Sequence, residues 1–241
     1  MGRKWNNIKD KKAAQDKKRS QSYTKVLAEI TVAAKSGADP HSNFRLRLAL
    51  QKAKENNVPK DNVDKAIRKG AGLDGAAPDE VNYEGYGIEG VAVFVEALTD
   101  NVTRTIANIR NAFSKNDGSL GKEGCLQFVF ERKAVFEIQK GNIDIDDLTM
   151  NLIDVGAEDV SEEDGYITVK AAMEDFGAIS KKLEELKIKA EEAGLERLPL
   201  NYKKVSKESF EKIMKMVDML ESDDDVQKVY HNIEYDEAFL S

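Results

Sequence analysis

The chain has one cysteine, two histidines, one tryptophan and four prolines among its 241 residues. A single thiol, Cys125, excludes an intramolecular disulfide and fits a reducing compartment. His41 and His231 stand far apart in sequence and offer no cluster for a metal or for acid–base work. Each is expected as a surface or capping residue. No apolar run approaches the ~20 residues that span a bilayer. No apolar segment follows the basic residues near residue 1, so no secretory signal is expected, and the lysine-rich stretch is a poor match to an arginine-rich transit peptide. A soluble cytoplasmic protein without a membrane partner is the expectation. Neither a Walker-type phosphate loop nor a G-x-G-x-x-G fingerprint is present; GSLGKEG at 118–124 is expected as a turn. The acidic runs Asp144–Asp147 and Asp223–Asp225 lack the spaced ligands and glycine of a calcium loop. No catalytic residue, cofactor, metal or small-molecule substrate is therefore expected.

What the chain does have is charge, and the charge is divided. Residues 1–70 hold 18 Lys and Arg against 7 Asp and Glu; the remainder holds 19 against 37. The whole-chain net of −7 hides this polarity. A basic head on an acidic body suggests one end that seeks polyanions and a remainder that stays soluble.

Hydrophobic periodicity divides the chain further. Residues 1–20 are polar and basic with little apolar pattern. Tyr23, Val26, Leu27 and Ile30 then fall on one helical face, followed by a second stripe of Leu46, Ala49, Leu50 and Ala53. Pro59 suits the first turn of a third helix carrying Val63 and Ile67, which Gly70 ends. These predict a three-helix bundle. Residues 70–82 read as a linker. Beyond it the pattern predicts a strand at 91–98, a helix capped by Thr99 or Asp100, and a strand at 125–130 that begins with Cys125 as a core thiol. A complete βαββαβ alternation follows from 134 to 202, then one more helix and a strand near 226–233. The first α/β unit holds only half a fold, and the tail supplies the rest. The predicted fold is α+β: a helical bundle (1–75), one ferredoxin-like domain (79–131 with 203–241), and a second (132–202) inserted in it.

The candidate site is a nucleic-acid surface. Arg3, Lys4, Trp5, Lys9, Lys11, Lys12, Lys17, Lys18 and Arg19 combine phosphate-binding charge with a stacking aromatic. Net +7 over residues 1–25 lacks the i,i+4 acidic partners of ordinary surface helices. Asn43, Arg45, Arg47, Lys52, Lys54, Lys60, Arg68 and Lys69 extend this basic surface over the bundle. Arg104, Asn108, Asn111 and Lys115 share the polar face of a later helix and can donate to phosphates. The YEGYG stretch (83–87) suits a packed turn or a contact loop.

Four segments together resemble the YebC family, also known as the YebC/PmpR or TACO family after its mitochondrial translational activator of cytochrome oxidase. They are KWNNIKDKKAAQDKKRSQSYTKVLAEITVAAKSGADP (4–40), NFRLRLALQKAKENNVPKDNVDKAIRKGAG (43–72), YEGYGIEGVAVFVEALTDNVTRTIANIRNAFSKNDGSLG (83–121) and FVFERKAVFEI (128–138). The resemblance covers essentially the full length. Three positions depart from the family's commonest pattern. Gly2-Arg3-Lys4-Trp5 replaces a Gly-His-Ser-Lys-Trp opening, Ile88-Glu89 stands where the family has Pro-Gly, and Lys115-Asn116-Asp117-Gly118 replaces a Lys-Asn-Gly-Gly-like turn. The resemblance implies a helical head with two ferredoxin-like domains and no catalytic residues. It implies either a DNA-binding transcriptional regulator or a translation factor acting on ribosomes, notably those stalled at proline runs.

Two readings follow. In the leading one the basic head engages ribosomal RNA and positions a stalled complex, with the ribosome doing the chemistry. In the alternative the same surface binds DNA. Against sequence-specific readout, Asp61 and Asp64 occupy the early turns of the third helix, where a recognition helix faces bases and phosphates. A metal-dependent nuclease is the least favoured reading. Nothing in the sequence requires an oligomer, and a monomer is expected.

Overall fold

The structure, a computed structural model, describes residues 21–234. They fall into two compact units. One contains residues 21–126 and 202–234; the other is Gln127–Asn201.

The first unit opens with three helices: α1 (21–34), α2 (Phe44–Glu55) and α3 (Lys60–Gly70). Their core is small-sided, with Ala33, Ala34, Ala49, Ala53 and Ala66 buried around Ile30 and Leu46. Alanine at these positions lets helix backbones approach. Gly70 takes the approach further: a Cβ there would collide with the Thr31 carbonyl oxygen and lie 2.6 Å from the Ala34 Cβ. Asn43 joins the first two helices. Its side-chain oxygen caps α2 by accepting from the Leu46 N–H (3.0 Å), and its amide donates to the Ala33 and Gly37 carbonyls (2.7 and 2.6 Å).

After an exposed connection, the first sheet is built from β1 (Asp79–Tyr86), β2 (Ala92–Thr99), β3 (Ser119–Leu120) and β8 (Val226–His231), with α4 (Val102–Lys115) and α7 (Lys207–Glu221) on one face. The strand order is β3-β1-β2-β8, antiparallel throughout. Val93 and Val95 on β2 meet Ile109 and Phe113 on α4 and Ile213, Met216 and Leu220 on α7. The order is ferredoxin-like with one change: β1, upstream of the other strands, stands where a third strand would follow β3.

Two sequence expectations are corrected here. The linker ends at Pro78, because residues 79–82 and most of YEGYG form β1. Gly85 belongs in that strand because a Cβ would meet the Phe113 ring at 2.6 Å. Nor is there a strand at 125–130. Residues 123–129 turn, and the next strand, β4, runs Phe130–Gln139.

The second unit follows the expected βαββαβ path: β4, α5 (Ile145–Ile153), β5 (Ala157–Glu163), β6 (Tyr166–Ala172), α6 (Phe176–Glu185) and β7 (Glu192–Pro199), in sheet order β5-β6-β4-β7. Phe136, Ile138, Ile167 and Val169 are buried, as are Leu148, Leu152, Ile179 and Leu183 on the helices. Phe136 and Phe176 stack with centroids 4.8 Å apart. Asp144 caps α5 by accepting from the Asp146 and Asp147 N–H groups, so this acidic run begins a helix.

Two residues after YEGYG stands Glu89, and its φ of 55° lies in the left-handed region that favours glycine. The side chain compensates. Its carboxylate accepts from the Ser209 and Ser206 hydroxyls (2.5 and 3.1 Å) at the start of α7, where negative charge is favoured. The Ser209 hydroxyl, with Ser206 second, holds the Glu89 carboxyl below the usual range. A depressed folded-state pKa contributes stability above the unfolded value and loses it as pH falls through the folded one. Glu89→Gln is therefore expected to lose less Tm than the parent between about pH 5 and pH 3. Circular dichroism melts at both pH values check this; equal losses would assign Glu89 no part in the acid response.

Candidate nucleic-acid interface

Arg3, Lys4, Trp5, Lys9, Lys11, Lys12, Lys17, Lys18 and Arg19 lie outside the described residues. The bundle carries the rest of the basic surface, and its cations divide into two groups. Arg45, on α2, directs its guanidinium fork at Glu80 of β1, with Nη2–Oε2 at 2.7 Å and Nη1–Oε1 at 3.1 Å. The hydrogen bonds to Glu80 hold its pKa above the ordinary arginine value. Lys52 pairs with Glu29 at 3.1 Å and Arg68 with Asp74 at 2.7 Å. Arg47 stands over the Phe44 ring, 5.2 Å from its centroid, a cation–π placement.

Lys54, Lys60, Lys65 and Lys69 form the second group. Among the described residues no carboxylate lies within ion-pair distance of them. Lys54 and Lys60 flank the α2–α3 turn, and Lys65 and Lys69 share one face of α3 at i,i+4. Lys54 and Lys69 sit in the last turns of their helices, where the helix dipole favours positive charge. The dipole thus supports Lys54 and Lys69, while Lys60 opens α3 and Lys65 lies within it.

Asn43 was expected within this surface. It is a buried cap with its amide committed to two carbonyls, so it leaves the candidate set. The bulk of Lys25 is also drawn inward; burial lowers its pKa against the opposing pull of Glu221, Asp224 and Asp223.

Arg104 was expected to face phosphates, and its geometry points elsewhere. Its Nη2 lies 2.7 and 2.9 Å from the Asp225 carboxylate oxygens and 3.0 Å from Asp100. Asp225 also accepts from the Thr105 and Thr99 hydroxyls (2.7 and 3.2 Å), and Asn108 donates to Asp223 (2.8 Å). This face of α4 fastens the turn before β8. The helix cap is Asn101, which accepts from the Arg104 N–H, in place of Asp100 or Thr99.

One residue that the sequence reading passed over is Glu84 in YEGYG. Only 8% exposed, it collects the Gly124 and Leu126 N–H groups at 3.0 and 2.6 Å. Tyr86 adds a hydrogen bond to the Cys125 carbonyl, 3.2 Å. Together they shape the 121–126 loop, which is why that segment is not a strand. Burial first, and Glu84 second, push the Cys125 thiol up, away from the thiolate a nucleophile needs. The signal available in sequence was a glutamate between tyrosine and glycine, a pattern with no unique reading.

His41 is exposed, and burial pushes the His231 imidazole down. Among the described residues no three His, Cys, Asp or Glu side chains group as metal ligands. No helix there is long and apolar enough to cross a membrane.

The described residues thus form a helical head with exposed lysines followed by two antiparallel sheets with helices, and comparison with known proteins places this arrangement. Residues 3–73 match the family model "TACO1/YebC protein N-terminal domain", and residues 78–233 match "TACO1/YebC second and third domain". The chain belongs to the TACO1/YebC family. A relative from Amoebophilus asiaticus, named a probable transcriptional regulatory protein, is 47% identical over 95% of this chain and 96% of its own. A relative from Bordetella pertussis with the same description is 46% identical over 98% of each. The crystal structure of a conserved hypothetical protein from Aquifex aeolicus matches with a TM-score of 0.80 and 38% identity, over 90% of both chains.

Proposed function

We propose that this protein is a non-enzymatic regulator of gene expression that binds DNA through the phosphate-gripping surface of its helical head, residues 1–75. The observation that carries the reading is the set of four lysines, Lys54, Lys60, Lys65 and Lys69, left without carboxylate partners on two adjacent helices. The names of the relatives, probable transcriptional regulatory proteins, support DNA over ribosomal RNA. The basic residues at 3–19 extend the same surface in this reading, and the acidic body limits indiscriminate binding.

Ribosomal RNA stays as a second reading on one observation. Asp61 and Asp64 are exposed in the first half of α3. A helix that reads bases in the major groove tolerates acidic groups there poorly. Backbone contacts without base readout suit RNA or DNA alike.

Competition separates the two. Labelled duplex DNA bound to the full chain is challenged with unlabelled duplex or with ribosomal RNA. The DNA reading expects duplex to compete at least as well; preferential displacement by ribosomal RNA would transfer the function to the ribosome. Charge reversal at Lys11, Lys12, Lys17 and Lys18 is expected to abolish binding while the far-UV spectrum of the α/β domains is unchanged. Undiminished binding would remove residues 3–19 from the surface.

A further inference from the structure

The head meets the rest of the first unit through side chains that a polyanion would also recruit. Arg45 forks onto Glu80. Lys25 Nζ donates to the Glu221 carbonyl (2.7 Å), and Gln21 donates to the Ser222 carbonyl (2.7 Å), both at the C-terminal end of α7. Lys35 Nζ donates to the Pro78 carbonyl (2.8 Å). On the head the groups are cations and an amide. On the body they are the Glu80 carboxylate, the Pro78 carbonyl before β1, and the Glu221 and Ser222 carbonyls at the negative end of the α7 dipole, with Asp223 and Asp224 beside them.

We infer that the body is an internal competitor for the head: Glu80 and the C-terminal end of α7 hold Arg45 and Lys25 as phosphates would, and nucleic acid releases the head by taking these cations over. This rests on the reading of the head as a phosphate-binding surface, and it specifies how that surface is regulated.

Three features fit a clasp of this kind. A guanidinium fork matches carboxylate and phosphate in the same bidentate geometry, so one replaces the other without rearranging Arg45. Arg45 and Glu80 are each about half exposed (51%), and exposed pairs are weak and screened by salt, which permits release. The connection at 71–78 permits movement. Residues 71–76 are exposed, Leu73 at 68%, and a Cβ added at Gly72 or Gly75 would meet nothing within 4 Å. Asp74 stays with the head through its pair with Arg68, so the change in path falls between it and the Lys35–Pro78 contact.

The test uses the full chain in a Cys125→Ser background. Donor and acceptor dyes sit on cysteines at the exposed positions His41 of the head and Lys215 of α7. Energy transfer and affinity are measured with a duplex DNA and, separately, with inorganic polyphosphate. In the parent, transfer is expected to fall as either polyanion binds. In Glu80→Gln, which keeps the side-chain shape, transfer starts lower and DNA binds about twofold to fivefold tighter, the gain expected when one exposed ion pair of the clasp is removed. Binding by the parent with unchanged transfer, together with no gain in Glu80→Gln, would overturn the clasp and leave the surface intact. If neither polyanion binds the parent, the phosphate-binding reading itself falls and the clasp falls with it.

Discussion

Gly70→Val is expected to cost the helical bundle about 3 kcal/mol or more, at the upper end of overpacking effects. The position has no room even for a methyl group, because the Thr31 carbonyl and Ala34 lie against the Cα. Carbonyl backbone cannot give way as a flexible side chain can, so α1 and α3 must part. Their separation opens the alanine core, whose contacts depend on close approach. Hydrogen exchange resolves the effect by region. Amides of α1, α2 and α3 are expected to lose protection, while those of β4–β7 keep theirs. Uniform protection in the variant would mean that the helices are not packed as described. Loss of nucleic-acid binding in the same variant would follow, because the four lysines are arranged by these helices.

Phe113→Ala is expected to destabilise the first sheet and its helices by about 3–5 kcal/mol. Phe113 is fully buried between α4 and the sheet. Two glycines are shaped around its ring: a Cβ at Gly85 would lie 2.6 Å from it and one at Gly118 3.2 Å. Rigid backbone on both sides limits collapse into the space the ring vacates, and sites that collapse poorly show the larger losses. Urea unfolding checks the value. A loss below about 1.5 kcal/mol would show that the surrounding strands relax into the cavity.

The bundle and the second sheet were legible because their cores are periodic. Val26, Ile30, Leu46 and Ala49 mark helical faces, and Phe136, Ile138, Ile167 and Val169 mark strand faces that alternate with polar residues. β1 was not legible. Its sequence, DEVNYEGY, offers Val81 and Tyr83 among acids and glycine, and it is a strand because β2 pairs with it along all eight residues. The opposite error occurred at 125–130, where CLQFVF has strand composition. There the Glu84 carboxylate gathers Gly124 and Leu126 into a turn and Phe128 is left 80% exposed. Both outcomes were decided by partners distant in sequence.

The site divides along the same line. That the head is basic is a matter of counting. Which cations are available is a tertiary property. Arg45 is occupied by a carboxylate 35 residues away and Arg104 by one 121 residues away, and no local pattern announces either pairing. Lys54 and Lys60 are exposed, and among the described residues the fold brings no carboxylate within ion-pair distance of either.

The central claim is that the unpartnered lysines of the head grip nucleic-acid phosphates. The most direct measurement is the salt dependence of duplex DNA binding by the parent and by a variant with Lys54, Lys60, Lys65 and Lys69 all changed to glutamine. Each phosphate contact contributes about 0.9 to the slope of log affinity against log salt concentration. The account expects weaker binding in the variant and a slope shallower by about 2 to 4. Equal affinity and an equal slope in the two proteins would contradict it.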